Sequence, residues 1–377
     1  MGRGKGALEN LAGLIDMNET LGFYKGKRVF ITGHTGFKGS WLCRVLLNAG
    51  AAVTGYALDP DTDPAMFDIL SLKKDMDSVI GDIRDFENLK IAVQKSDPEI
   101  IFHMAAQPIV REGYGRPVYT YDVNVMGTVN LLEAARDAKN LISFVNVTTD
   151  KVYENKEQAE GYVETDVLCG SDPYSNSKSC SELVTYAYKK SFFSRDNAPA
   201  VSTARSGNVI GGGDFAPFRI IPDCVRASLS GEKIVIRNPE SIRPYQHVLD
   251  CLSGYLHLAK KQAENAILAG QYNFGPIDTD SIKTESLVKV FCTAWADGAS
   301  YIVKPDGGPP ETNFLKLDIT KSKTELGWSP AWDIHTAVKK VVEWEKARAD
   351  GEAVQETDAQ IDDFFKSFSR SKTGNKE

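Results

Sequence analysis

Residues 27–39, KRVFITGHTGFKG, predict the fold of the first half of the chain. A short apolar strand runs into three glycines spaced GxxGxxG, at Gly33, Gly36 and Gly39, and an apolar helix over residues 41–48 follows. Such a turn brings the backbone close to a pyrophosphate and directs a helix N-terminus at it. A merely glycine-rich turn is the alternative, but the flanking strand and helix favour a dinucleotide site.

Strand and helix patterns alternate beyond this turn. Further strands are predicted at residues 52–58, 77–81, 99–103, 142–147 and 200–205. One long helix is predicted over 118–139, and shorter ones over 220–229, 247–261 and 285–296. The alternation predicts an α/β fold: a Rossmann-type, doubly wound parallel sheet with right-handed crossovers. In such sheets the site lies at the carboxyl ends of the strands.

The pattern changes after residue 206, where loops rich in Gly and Pro alternate with shorter helices. The predicted domains are an N-terminal arm (1–24), a dinucleotide-binding Rossmann domain (25–206), a smaller mixed α/β substrate domain (mainly 207–368) and a disordered polar tail (369–377). Segments around 240–260 are expected to return to the Rossmann domain.

Composition excludes several classes of partner. A net charge of −7 argues against a nucleic-acid partner, which would require a basic face. No apolar run reaches the roughly 18 residues of a membrane span, and the N-terminus lacks the pattern of a secretory signal. The six cysteines are scattered and the five histidines form no HxxxH or HExxH group, so we expect reduced thiols, a cytoplasmic protein and no metal.

Candidate cofactor contacts lie at the carboxyl ends of the predicted strands. Asp59 follows the second strand, 20 residues past Gly39, where a carboxylate can bond the adenosine ribose and repel a 2′-phosphate. NAD is therefore favoured over NADP, although a turn-forming role before Pro60 is the alternative. The other candidates are Gly33, Thr35, Gly36, Phe37, Lys38, Gly39, Asp82, Ile83, Ala105, Ala106, Gln107 and Asn124.

Residues 147–178 carry the candidate catalytic groups. The fifth strand ends in VTTDKVYEN, which places Thr149, Asp150 and Lys151 side by side, and PYSNSK follows after a polar loop. Tyr174 and Lys178 are four residues apart, so they share one helix face. Chance would also place a tyrosine and a lysine on one helix, and a surface ion pair would also explain Asp150 with Lys151. The distance of the Tyr174–Lys178 pair from TTDKVY disfavours chance, and the position of Asp150 and Lys151 directly after an apolar strand disfavours a surface ion pair.

The motifs GxxGxxG, NVMGT (with Asn124) and YxxxK together resemble the extended short-chain dehydrogenase/reductases that act on nucleotide sugars. The triplet Thr149-Asp150-Lys151 is similar to that of the sugar-nucleotide 4,6-dehydratases, whose usual triplet is Thr-Asp-Glu. Lysine in the third place, with GHTGFKGSWL, DKVYEN, GNVIGGGD and RPYQHV, resembles the branch of this family that acts on CDP-D-glucose. The resemblance runs from about residue 25 to about residue 344.

The resemblance implies an internal redox elimination that turns a nucleotide-linked glucose into its 4-keto-6-deoxy sugar, with NAD retained throughout. It implies that Tyr174 is the base at the C4 hydroxyl, that Lys178 supports it and binds the nicotinamide ribose, and that Thr149 bonds the C4 oxygen. Asp150 would protonate the departing C6 hydroxyl. Lys151 would be the C5 base, which requires its neutral form, or would stay charged and stabilise the enolate; the base role is favoured.

Arg243 in RPYQHV matches the diphosphate-binding arginine of this family. The other substrate-binding candidates are Gln107, Arg111, Asn208, Arg219 and Tyr245. A dTDP-glucose or GDP-mannose dehydratase, a 4-epimerase and a non-catalytic NAD-binding scaffold are the alternatives. The resemblance also implies a homodimer, with a tetramer as a second possibility, and a place in deoxysugar synthesis for lipopolysaccharide O-antigen.

Overall fold

A parallel β-sheet forms the centre of the protein. The computed structural model describes residues 17–305 and 314–370. The strands in chain order are β1 (Arg28–Thr32), β2 (Ala52–Ala57), β3 (Asp77–Ile80), β4 (Ile100–His103), β5 (Ser143–Val147), β6 (Ala200–Ser206), β7 (Val209–Ile210), β8 (Ile234–Ile236), β9 (Ile242–Pro244), β10 (Gln246–His247), β11 (Gln271–Phe274), β12 (Ser281–Lys283) and β13 (Tyr301–Val303).

Within the described residues, seven of these strands form the main sheet in the order β11-β6-β5-β4-β1-β2-β3, all parallel. Ile31 of β1 pairs with Gly55 on one side and Phe102 on the other. The strand order reverses between β1 and β4, which is where a doubly wound sheet opens a crevice for a ligand. The predicted Rossmann-type sheet is confirmed.

Helices cover the sheet and build the rest of the chain. They are α1 (Met17–Phe23), α2 (Phe37–Asn48), α3 (Met66–Ile69), α4 (Phe86–Ser96), α5 (Val110–Gly115), α6 (Pro117–Tyr121), α7 (Gly127–Arg136), α8 (Pro173–Phe192), α9 (Ile220–Leu229), α10 (Val248–Glu264), α11 (Thr284–Trp295), α12 (Ile334–Ala349) and α13 (Ala353–Arg370). Wider π-helical turns lie at Asp122–Met126 and Ser322–Leu326, and short 3-10 turns at Leu72–Lys74, Asp150–Val152, Ala266–Leu268 and Asp278–Asp280.

Central strands of the sheet are apolar because both of their faces are covered. All five residues of β5 are buried, as expected for a strand with helices on either side. On one face Trp41 of α2 and Leu252 of α10 belong to one core cluster. On the other face Leu131 of α7 and Leu89 of α4 belong to a second cluster. The helices thereby hold the carboxyl ends of the strands in fixed positions.

The C-terminal half contains a smaller mixed α/β core. Helices α9, α11 and α12 contribute Ile221, Phe291 and Val338 to one cluster, together with Ile234 of the β8–β13 pair. Helix α10 and strand β11 belong instead to the main sheet and its covering layer, although they follow residue 206. The predicted return of segments around 240–260 agrees with this placement, while the domain limits themselves stay a prediction.

Three predicted segments differ in detail from the structure. The long helix predicted over 118–139 consists of α6, a π-helical turn and α7, which ends at Arg136. Part of the predicted N-terminal arm is helix α1, in which Met17 and Thr20 are buried; residues 1–16 lie outside the described residues. Helix α13 extends into the predicted tail as far as Arg370, and residues 371–377 lie outside the described residues.

Candidate active site

The glycine turn between β1 and α2 lies at the point where the strand order reverses. Gly33 has φ +78°, and a Cβ there would lie 2.7 Å from the backbone nitrogen of Ala105. A Cβ at Gly39 would collide with the carbonyl oxygen of Gly33. A Cβ at Gly36 would meet no protein atom within 3.6 Å, so packing does not require glycine there. A ligand lying against the backbone would require it, which fits a pyrophosphate at the N-terminus of α2.

The predicted adenosine contacts line the adjacent strand ends. Asp59 is exposed just beyond β2, and the hydroxyl of Thr35 donates to the carbonyl of Leu58 over 2.9 Å. Asp82, just beyond β3, is paired with Arg84 at 2.6 Å, and this arginine lowers the pKa of Asp82. These carboxylates lie beyond neighbouring strands at one sheet edge, as the motif spacing predicts.

Gln107 and Asn124 brace the loop after β4 rather than extending freely into the cleft. The Gln107 side chain donates to Thr120 over 2.8 Å and accepts from the backbone of Ile109 over 2.6 Å. Asn124 accepts from the Gln107 backbone over 2.8 Å and donates to Ser177 over 2.9 Å. This brace ties the π-helical turn at Asp122–Met126 to helix α8. The other cofactor candidates here, Ala105 and Ala106, are half-buried, Ile83 is buried and Phe37 is half-buried.

Two lysines, half-buried Lys38 and buried Lys178, are hydrogen-bonded near the carboxyl ends of the strands. The Lys38 ammonium donates to the Tyr255 hydroxyl over 2.9 Å and to the Ser206 hydroxyl over 3.3 Å. The Lys178 ammonium donates to the carbonyl of Val147 over 3.3 Å. Burial and, to a smaller extent, the Lys38 charge lower the pKa of Lys178 to about 8, while Glu182 opposes the shift.

Tyr174, Thr149 and Asp150 form one connected group. Tyr174 is hydrogen-bonded to Thr149, and the Thr149 hydroxyl donates to Asp150 Oδ1 over 2.9 Å. The other carboxylate oxygen of Asp150, Oδ2, is buried and has no hydrogen-bond partner among residues 17–305 and 314–370. Buried polar atoms are rarely left without a partner, so this oxygen is a candidate contact for a bound ligand.

Burial raises the pKa of Tyr174 to about 12, with Thr149 acting in the opposite direction and Asp150 adding to the increase. Lys178, to which the resemblance assigns the support of this base, is not among the groups that counter the increase; its ammonium bonds the Val147 carbonyl. Arg219 favours the phenolate, but less than burial disfavours it.

Lys151 lies at the open side of this group. Its backbone nitrogen donates to the Thr149 hydroxyl over 3.4 Å within the 3-10 turn Asp150–Val152. Its side chain is partly exposed and has no ion-pair partner in the part of the chain that the structure describes. The Lys151 side chain is therefore partly accessible to solvent and is not held by an opposite charge among the described residues.

The predicted substrate residues fall into two groups. Arg219 approaches Tyr174 closely enough to affect its pKa and pairs with Asp214 at 2.9 Å; the Arg111 guanidinium lies 5.4 Å from the Phe218 ring centroid. In the second group, Arg243 is buried and donates to the Ile242 carbonyl over 3.0 Å. The side-chain nitrogen of Asn208 is a buried donor without a partner in the described chain. Tyr245 is buried, and its hydroxyl lies 3.0 Å from the hydroxyl of Thr284.

Sequence reasoning missed two supports of the site. Ser206 and Tyr255 bind the Lys38 ammonium, and no motif connects them to it in sequence. Glu182 and Arg205 form a buried ion pair beside the catalytic segment. Glu182 was discoverable, since it lies four residues after Lys178 on the same helix face. Arg205 is a charged residue at the end of a buried strand, which is a second available signal.

Residues 17–305 and 314–370 contain no group of three His, Cys, Asp or Glu side chains placed to hold a metal ion. Among the same residues no helix combines the length and the apolar character that crossing a membrane requires. All six cysteines are free thiols.

Comparisons with known proteins agree with this geometry. Residues 30–341 match the family described as GDP-mannose 4,6 dehydratase. The chain belongs to this dehydratase family. It is 48% identical over 344 residues to the CDP-glucose 4,6-dehydratase of Salmonella typhimurium, covering 90% of this chain and 95% of that protein. The predicted resemblance to sugar-nucleotide 4,6-dehydratases is confirmed.

More distant relatives show the same family and fold. The dTDP-glucose 4,6-dehydratase of Xanthomonas campestris (strain ATCC 33913) is 26% identical over 339 residues, covering 83% of this chain and 92% of that protein. The crystal structure of the Bacillus anthracis dTDP-glucose 4,6-dehydratase in complex with NAD superposes with a TM-score of 0.70. That structure is 23% identical and covers 86% of this chain and 97% of its own, so it shows the fold alone.

Proposed function

We propose that this protein converts CDP-D-glucose into CDP-4-keto-6-deoxy-D-glucose and water, as a hydro-lyase. The observation that carries the proposal is the 48% identity to a CDP-glucose 4,6-dehydratase over nearly the whole chain. The joined group of Tyr174, Thr149 and Asp150 at the carboxyl edge of the sheet supports it, since those residue types suit proton transfer at two sugar carbons.

NAD is the proposed cofactor, and the residues at the switch point fit it. The open side of Gly36 accommodates a pyrophosphate, and Asp59 offers a carboxylate to the adenosine ribose. Lys178 would bond the nicotinamide ribose. Bound NAD would supply an acceptor for the hydride from C4 and, once reduced, a donor of that hydride to C6.

In the first half-reaction, Tyr174 takes the proton of the C4 hydroxyl as the C4–H bond breaks and a C4 ketone forms. The neutral phenol is strongly favoured in the protein alone, because burial raises the pKa of Tyr174 to about 12. Cationic Lys178 and the positive charge of oxidised NAD both favour the phenolate. Thr149 holds the C4 oxygen and the Tyr174 hydroxyl in one hydrogen-bonded group.

In the second half-reaction, the C4 ketone acidifies the C5 proton. Lys151, in its neutral form, takes that proton, and Asp150 in its protonated form gives a proton to the C6 hydroxyl as the C6–O bond breaks. One water leaves, and the hydride then returns to C6 while C5 is reprotonated. The unpartnered Oδ2 of Asp150 is the atom proposed to reach the C6 oxygen.

The diphosphate and the nucleoside bind on the C-terminal side of the cleft in this proposal. Arg243 contacts the diphosphate, because a guanidinium bonds phosphate oxygens in pairs. The unpartnered Asn208 nitrogen is a second donor, and Arg219 is close to Tyr174 and hence to the sugar end. Arg111 lines the opposite wall. Tyr245 is assigned a supporting role, since its hydroxyl is bonded to Thr284.

The test is a comparison of CDP-, dTDP-, GDP- and UDP-hexoses as separate substrates in the presence of NAD. We expect a 4-keto-6-deoxy product from CDP-glucose without net release of NADH. Turnover of dTDP-glucose alone would refute the CDP assignment, and stoichiometric NADH release would refute the internal redox cycle.

The proposed assembly is a homodimer, with a tetramer as the alternative. It is supported by exposed apolar side chains on helix α8 and the preceding helical segment. These are Val118, Met126, Leu183, Tyr186 and Phe192. Light scattering at two protein concentrations tests the oligomeric state.

The cytoplasm is the proposed compartment and deoxysugar biosynthesis is the proposed pathway. The free state of all six cysteines is consistent with a reducing environment.

A further inference from the structure

A buried ion pair connects helix α8 to the end of strand β6, directly behind the catalytic segment. Glu182 and Arg205 are each at most 2% exposed. Arg205 donates to Glu182 through Nε over 3.0 Å and through Nη2 over 2.9 Å. The Glu182 carboxylate also accepts hydrogen bonds from the hydroxyls of Thr148 and Thr203, the latter over 2.6 Å. Four donors therefore satisfy this carboxylate, and two of them come from Arg205.

The remaining donor group of Arg205 reaches the far side of the catalytic segment. Nη1 donates to the Tyr153 hydroxyl over 2.8 Å and to the carbonyl of Glu164 over 3.1 Å. The Tyr153 hydroxyl in turn donates to Asn273 of β11 over 2.7 Å, and its ring stacks on Tyr162 at 5.2 Å between centroids. Tyr153 is thus held on several sides.

These contacts enclose the triplet Thr149-Asp150-Lys151. Thr148 immediately precedes the triplet and bonds to Glu182, while Tyr153 follows it and bonds to Arg205. Helix α8, which supplies Glu182, also carries Tyr174 and Lys178. A buried ion pair gives little net stability, because desolvation of the two charges offsets their attraction. Its location therefore favours a function in geometry.

We propose that Glu182 and Arg205 are positioning residues that hold the elimination residues Asp150 and Lys151 in register with the hydride-transfer residues on α8. The inference rests on the proposed function for the names of the two half-reactions. The ion pair reaches no substrate atom itself. It acts by fixing both ends of a short turn, for which a displacement of about 1 Å can cost about 100-fold in rate.

Glu182 has a second, electrostatic effect on the same helix. Burial lowers the pKa of Lys178 to about 8, Lys38 adds to the decrease, and Glu182 counteracts it. Removing the Glu182 charge would therefore lower the pKa of Lys178 further. Activity that needs cationic Lys178 would then be lost at a lower pH on the alkaline side. Substituting a residue with a purely structural role would leave the alkaline limb of the pH–activity profile at the same pH.

The test compares Glu182→Gln, Arg205→Met and the double variant with Glu99→Gln as a matched control. Glu99 pairs with Lys27 at 2.8 Å at the opposite, amino-terminal edge of the sheet. We expect kcat for CDP-glucose to fall about 100-fold in both single variants with KM little changed, and NADH to accumulate because elimination is slowed more than C4 oxidation. The alkaline limb moves to lower pH in Glu182→Gln and does not do so in Arg205→Met.

Arg205→Met leaves a buried carboxylate unpaired and is the variant at risk of misfolding, so the double variant, which removes both charges, keeps the proposal testable. Crystal structures of the variants provide a readout that needs no substrate. We expect residues 149–151 to shift relative to Tyr174 in Glu182→Gln and in the double variant, but not in Glu99→Gln. The proposal would be overturned if residues 149–151 kept their position relative to Tyr174 in these variants. It would also be overturned if the wild type were active and the variants had the same kcat and pH profile. A wild type inactive on CDP-glucose would instead refute the proposed function.

Discussion

The site contains two lysines in opposite surroundings, and the comparison separates its two halves. Lys178 of helix α8 is 5% exposed, and its ammonium bonds the Val147 carbonyl at the end of strand β5. Lys151 is partly exposed in the middle of a short turn, without an ion-pair partner in the described residues. A buried amine has a fixed position and a depressed pKa, whereas an exposed one can follow a substrate. Under the function proposed above, the lysine of the hydride-transfer half is enclosed and the lysine of the elimination half is partly exposed, so the halves are called closed and open after their lysines; Asp150 of the open half is itself buried.

The largest effect is expected from Tyr174→Phe, which removes the base of the closed half. Loss of a positioned base costs about 1,000-fold in rate. Neither NADH nor keto product should form, since C4 oxidation is the first step. Stopped-flow absorbance at the NADH band, recorded after mixing the variant with CDP-glucose and NAD, measures C4 oxidation. A transient of wild-type amplitude and rate would mean that another group removes the C4 proton.

Lys151→Met tests the open half and should cost about 100-fold. C4 oxidation should continue, so NADH accumulates while water loss stalls, which is the reverse of the Tyr174→Phe pattern. The measurement is NADH absorbance together with product analysis by mass spectrometry. Lys156→Met, five residues further in the same loop and exposed beside Glu154, is the control that should behave as wild type. Normal turnover of Lys151→Met would exclude the base role.

Thr149→Val should reduce kcat about tenfold, because one hydrogen-bond partner is lost while the shape is kept. Thr149 is bonded to both Tyr174 and Asp150, so it belongs to both halves. The hydrogen bond to Thr149 lowers the pKa of Tyr174, and its loss should shift the phenol further from its ionised form. Both the oxidation and elimination rates should therefore fall, as measured in single turnovers. An effect confined to elimination would assign Thr149 to the open half.

The smallest effect is expected from Lys38→Met, a shift in pH dependence. Lys178 is cationic below its pKa, so activity that needs this cation is present below about pH 8 and lost above it. Lys38 lowers that pKa, so its removal should move the alkaline limb of the pH–activity profile to higher pH. Lys38→Arg, which keeps the charge, is the control. A limb that moves equally in both variants would show that Lys38 acts through packing.

Pattern recognition found the sheet because buried strands are apolar and follow one another at regular intervals. It missed β11, since QYNF is short, half polar and far in sequence from its partner β6. It overextended the helix at 118–139, where Pro117 starts α6 and a wide turn separates α6 from α7. Residue propensities do not predict the pairing of β11 with β6, because this contact forms only when segments distant in sequence come together.

The site was predictable where chemistry and spacing coincide in one motif, as for Tyr174 with Lys178. The contacts of a polar side chain were not predictable where either the ligand or a neighbouring protein group could be its hydrogen-bond partner. The sequence predicts that Tyr245 contacts the substrate; its hydroxyl is bonded to Thr284 within the C-terminal core, and the substrate contact stays a prediction. Gln107 was assigned to the cofactor and the sugar, but both ends of its amide are bonded within the protein. Which neighbours satisfy a polar group is a property of the fold.

Strand β11 and helix α10 make the C-terminal half of the chain, which is proposed to bind the substrate, discontinuous. They lie between segments of the smaller core, yet they complete the sheet and its covering layer. A chimera that exchanged everything after residue 206 for the corresponding block of a relative would also replace an edge strand and a buried helix of the cofactor side. Transplanting nucleotide specificity into this scaffold therefore requires separate grafts on either side of α10 and β11.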